Sequence, residues 1–200
     1  MVDPELLASL IVFALVGTLT PGGATILIAA SGARFGFRSS LPLLLGIVIG
    51  LASLVALAGA GIGTLLQSAP ALQTAMRIAG SAYFLWLASK IARAGSPNLD
   101  RGDAAEPETV ISGLVLLWLN PKGWTMALGA SAAYSELAPS PATLALVMGG
   151  VFACAAGLAL TFWCAGGLML SRLLTTDRQW RILNITLALL LIASIAPMWL

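Results

Sequence analysis

Hydrophobic residues run in long blocks along this 200-residue chain, and the polar positions gather in short stretches between them. Six blocks are long enough to cross a bilayer, at residues 5–33, 40–63, 72–92, 109–134, 142–168 and 181–199, where a straight helix needs about 20 residues. The pattern predicts an all-α integral membrane fold. Blocks one and four hold a proline well inside the apolar run, Pro21 and Pro121. Block five is overlong as well, and tilt can absorb its excess.

The two prolines are 100 residues apart, and shifting blocks two and three by the same distance lands on blocks five and six. The chain therefore reads as two repeats, residues 1–93 and 109–200, joined by a polar linker at 94–108 within one transmembrane domain. Three spans per repeat force the repeats into opposite orientations. In such inverted repeats, proline- or glycine-interrupted spans at matching positions point to the binding site.

Basic residues set the orientation. Arg34, Arg38, Lys90, Arg93, Arg101, Arg172, Arg178 and Arg181 all fall on one side of a six-span chain, which the positive-inside rule makes cytoplasmic. Both termini are then expected outside. The N-terminus opens Met1-Val2-Asp3-Pro4-Glu5, acidic where a signal peptide would be basic, and is read as a retained span. Composition agrees: 59% of residues are hydrophobic, 9% are charged against about 25% in an average chain, and the mean hydropathy is +0.98.

Proline lacks an N–H and clashes with the carbonyl four residues back, so Pro21 and Pro121 are expected to free the carbonyls of Gly17 and Leu117. Gly22 and Gly23 tolerate unwound backbone after the first break. A half-helix restarting there presents N–H groups and a positive dipole end, suited to a carboxylate. A lone proline kink is ordinary packing; two at matching positions, flanked by Thr20 and Asn120, favour a ligand site. Lys122 strengthens that reading. A lysine near mid-span costs about 2.5–3.5 kcal/mol on insertion scales and calls for a partner, yet no Asp or Glu falls in the middle of any span. The expected substrate therefore carries a carboxylate and zero or negative net charge. Glu5 and Arg77 lie near span ends, as interfacial residues or as gate or coupling groups.

Other chemistry has little to draw on. Histidine is absent, no metal site or cofactor is expected, and Lys122 alone offers a base to Ser131, Ser135 or Ser171, so the chain is not read as an enzyme. Cys154 and Cys164 share one span about 15 Å apart, too far for a disulfide, which disfavours a thiol–disulfide electron carrier. A non-transporting interaction subunit stays open. Trp118 and Trp124 flank the second break and read mainly as packing. Trp180 and Trp199 read as interfacial anchors.

Thr20-Pro21-Gly22-Gly23, Gly32-Ala33-Arg34-Phe35-Gly36-Phe37-Arg38 and Gly46-x-x-x-Gly50 resemble the first part of the LysE/RhtB family of amino-acid exporters. The run from Arg77 to Leu87 looks like that family's third span, and Leu119-Asn120-Pro121-Lys122 like its second-half signature. The resemblance implies a bacterial inner-membrane secondary transporter that exports amino acids or related metabolites, is driven by protons and is often a homodimer. Its partners would be an amino-acid-like substrate, protons and the lipid bilayer, with no nucleic acid. Carried over by position, the substrate site would be Thr20, Pro21, Gly22, Gly23, Asn120, Pro121 and Lys122. The family usually has Thr-Pro-Gly-Pro, so Gly23 is a departure that loosens the first break, and Ala88 stands where glycine is common.

Overall fold

A computed structural model describes residues 2–62, 70–96, 106–196 and 199. The described residues form seven α-helices and no strand: α1 (Pro4–Leu19), α2 (Gly23–Leu57), α3 (Pro70–Arg93), α4 (Val110–Trp118), α5 (Pro121–Ala133), α6 (Pro141–Ser171) and α7 (Asp177–Ala193), with a π-helical turn at Ala58–Ile62 after α2. Most of the expected turn at 64–71 and much of the linker, with Arg101, lie outside the described residues.

The expected interruptions at both prolines are present. α1 ends at Leu19 and α2 starts at Gly23; α4 ends at Trp118 and α5 starts at Pro121. Proline suits the first position of a helix, because the N–H it lacks would have no intrahelical partner there. α2 is itself two segments. Gly36 has φ 79° and ψ 173°, a conformation open to glycine, and the chain turns sharply there. The Ser31 and Ser40 hydroxyls meet at 2.8 Å, whereas nine residues of straight helix would separate them by about 13 Å. Residues 23–35 and 37–57 are thus separate helical legs, and the loop expected between spans one and two shrinks to one glycine.

Small residues let these legs pack closely. A Cβ on Gly46 would overlap the Val110 carbonyl of α4, and one on Gly113 would meet the Leu43 carbonyl and the Ile47 nitrogen. On the other side, Gly32 lies against the Cys164 carbonyl and Gly167 against that of Ala29. α6 packs along both legs of α2, α1 packs on α6, α4 on α2, and α3 on α7. The outward faces stay apolar: Leu146 is 78% exposed and Ile111 74%. A surface that apolar suits hydrocarbon better than water. Among the described residues, Pro141–Ser171 is long and apolar enough to cross a membrane, as is Gly23–Gly61 taken whole, which the turn at Gly36 divides into two legs.

The bundle has two chemically distinct ends. At one, Asp3 N–H donates to the Leu137 carbonyl at 3.2 Å, and Ser9 and Tyr134 hydroxyls meet at 3.0 Å. At the other, Arg34 donates to the Gly95 carbonyl at 3.1 Å, Asn184 to that of Ala94 at 2.6 Å, and Ser96 to the Asp177 carboxylate. Trp180 belongs to this second end and is buried, so it is not the interfacial anchor expected from sequence. Trp199 is half exposed and donates to the Ser81 hydroxyl at 3.1 Å.

Candidate functional site

The two breaks come together. Lys122, in the first turn of α5, lays its side chain over Gly22 and donates from Nζ to the Thr20 carbonyl at 2.5 Å. Residues 102 apart in sequence thus close one polar centre. Among the described residues the ammonium finds no carboxylate, and a main-chain oxygen exposed by the first break supplies its partner. A lysine Nζ has three N–H donors, so this bond leaves capacity for an anion.

Pro21 brings no N–H to the Gly17 carbonyl, as expected, but the second break differs from what proline geometry alone suggests. α1 stops before Pro21, with the Thr20 N–H and hydroxyl both donating to the Val16 carbonyl, at 3.1 and 2.7 Å. The break also exposes the oxygens of Leu19 and Thr20. Leu19 accepts from the Trp163 indole at 3.1 Å, and Thr20 accepts from Lys122. At the second break Leu117 is not free: its carbonyl accepts the Asn120 N–H at 3.0 Å as the helix end tightens. The Trp118 carbonyl accepts from the Trp124 indole at 2.8 Å, and the two indole rings pack edge-on. Both tryptophans brace the break.

The two half-helix N-termini are finished differently. Asn120 is buried, and its Oδ1 accepts the Lys122 N–H at 3.1 Å, a normal N-cap. The leg starting at Gly23 has no side-chain cap from Gly22; Thr25 Oγ1 instead accepts the Gly22 N–H at 2.8 Å and donates to the Gly22 carbonyl at 2.9 Å. Its first-turn amides therefore face the break without a side-chain acceptor at the cap, beside the Lys122 ammonium. Such a terminus attracts anions through its N–H groups and its dipole.

A cavity of about 40 Å³ lies here, walled by Thr18, Gly22, Thr25, Asn120 and Lys122 with the apolar Met126 and Leu160. That is room for two or three waters and too little for an amino acid, so loading requires the walls to part. Of the residues picked from sequence, Gly22, Asn120 and Lys122 line it, while Thr20 and Pro21 flank it and are exposed. Gly23 is buried under the Phe84 ring, where any Cβ would collide. A proline here would need the Phe84 ring to shift. Glu5 and Arg77 are exposed and line no part of this cavity, nor does an ion pair join Arg77 to Glu5 or Glu136 among the described residues.

Sequence reasoning missed Trp163, Thr25 and the α6 wall. Trp163 and Leu160 lie in an uninterrupted apolar block with no local signal, and only the packing of α6 on α1 brings them to the break. Cys154 is exposed and Cys164 buried, and both are free.

The chain is 34% identical over 193 residues to the cysteine/O-acetylserine efflux protein of Escherichia coli (strain K12), covering 94% of this chain and 95% of that one. The proteins of the same name from Shigella sonnei (strain Ss046) and Shigella flexneri match to the same extent. No solved structure matches it. The LysE type translocator family profile matches residues 15–194, most of the chain and both breaks, and the chain belongs to that family.

Proposed function

We propose that this chain exports small neutral amino acids from the bacterial cytoplasm, through a site formed where its two broken helices meet. The observation that carries the proposal is the Lys122 ammonium, held across the break on the Thr20 carbonyl beside the uncapped N-terminus of residues 23–35. The substrate carboxylate would take the free donors of Lys122 and the amides of that terminus. Its ammonium would rest on the Thr20 carbonyl and the Asn120 amide oxygen. Substrate size follows from the tight walls and from the relatives, whose names give cysteine and O-acetylserine. Proton exchange is the driving force that the family resemblance implies.

The same reading takes the fold as six spans in two inverted repeats. Packing supports it, because helix contacts come in exchanged pairs: α1 against α6 is matched by α4 against α2, and α3 and α7, equivalent by repeat, pack on each other. Ser131 of α5 donating to the Ala58 carbonyl after α2 is likewise matched by Gly32 of the Gly23 leg against α6. The end with Arg34, Lys90 and Arg93 would be cytoplasmic, and the end with Glu5 and Glu136 external. A reporter fused after Ala138 is expected to read outside and one after Thr176 inside; a cytoplasmic signal at Ala138 contradicts the arrangement.

Transport itself is tested with purified protein in vesicles preloaded with O-acetyl-L-serine, serine or lysine under an imposed proton gradient. Efflux of the neutral pair at least tenfold faster than lysine, abolished by a protonophore, is the expected result. Preferential lysine efflux would overturn the substrate assignment.

A further inference from the structure

A second, larger pocket of about 400 Å³ opens at the Arg34 end, between residues 27–35, the last turns of α3, and Asn184 in the first half of α7. Its volume lies within the usual range for small-molecule sites, about 300–1,000 Å³. Charges of both signs line it. Lys90 and Glu108 pair at 2.7 Å, whereas Arg93 and Glu106 make no ion pair among the described residues. Arg34 is tied by its bond to Gly95. The floor is apolar, made by Leu27, Leu87 and Ile91. One helical turn deeper, Phe84 is fully buried against Gly23, next to the Lys122 site.

We propose that this pocket is a second amino-acid site, where a zwitterion is held before it moves on to Lys122. Arg93 takes the carboxylate and Glu106 the ammonium, while the apolar floor accepts a short side chain. The inference rests on the export reading above, and its test separates the two.

Equilibrium dialysis of radiolabelled O-acetyl-L-serine against purified protein counts the sites. Wild type is expected to bind two per chain. Arg93→Gln/Glu106→Gln is expected to bind one, as is Lys122→Met, and the triple variant none. Arg93→Lys/Glu106→Asp should keep two, which a general folding defect would not. One site in wild type, or two in Arg93→Gln/Glu106→Gln, overturns the proposal. Two sites in Lys122→Met together with one in Arg93→Gln/Glu106→Gln would sink the Lys122 reading and leave this pocket standing. A phosphatidylethanolamine headgroup has the same pairing of amine and anion, so dialysis is repeated in nanodiscs of phosphatidylglycerol with and without that lipid. Two sites in both mark the free amino acid as the occupant; loss of one site when the amine lipid is present marks the headgroup and contradicts the proposal.

Discussion

Replacing Lys122 with Met is expected to cut export at least 100-fold while the protein still inserts and folds. Methionine keeps an apolar stem across Gly22, so the packing that sets the breaks survives. What goes is the charge. A hydrogen bond to a charged group contributes about 1.5–3 kcal/mol, and each 1.4 kcal/mol is about tenfold. Losing a bond to the substrate carboxylate together with the bridge to Thr20 therefore amounts to at least about 100-fold. Stability should not fall greatly, because removing a lysine also removes an insertion cost of about 2.5–3.5 kcal/mol. Initial efflux rates and melting temperature, measured on the same preparation, separate the two effects. Near-wild-type efflux would show that the ammonium only ties the two helices together.

Gly46→Ala should do the opposite and damage the fold itself. Its Cβ would overlap the Val110 carbonyl, and both partners are backbone, so neither can rotate away. The interlock is double, since Gly113 is equally tight against Leu43 and Ile47. The helices must separate, at a cost at or above the usual 1–3 kcal/mol of overpacking. Gly150→Ala makes the same chemical change where nothing lies within 4 Å, and there alanine should stabilise the helix by up to about 1 kcal/mol. Melting temperatures of the two variants are expected to move in opposite directions. Equal effects would mean that the α2–α4 crossing is looser than the geometry indicates.

Much of the site could be read from residue types because proline and lysine leave strong local marks. Pro21 and Pro121 located both interruptions, and Lys122, a mid-span charge without a carboxylate, marked the centre between them. Where the reasoning was local it also misled. The carbonyl four residues before a proline is freed only if the helix runs straight into it. Here α4 tightens first, so Leu117 is satisfied by Asn120, and at the first break the oxygens of Leu19 and Thr20, which no proline rule singles out, take Trp163 and Lys122 as partners. Long-range partners carry no mark at all. Nothing around Phe84 or Trp163 tells that one seals Gly23 and the other caps Leu19. The gap between the blocks at 5–33 and 40–63 reads as a short loop; the positive φ of Gly36 instead folds two helical legs directly against each other.

The central claim is that Lys122, at the meeting of the two breaks, holds the substrate's carboxylate. The most direct measurement compares efflux of serine with that of serinamide, which lacks the carboxylate, in wild type and in Lys122→Met. Wild type should export serine at least 100-fold faster than the amide, and the variant should treat the two alike. Equal export of acid and amide by the wild type, or full discrimination retained without Lys122, would contradict it.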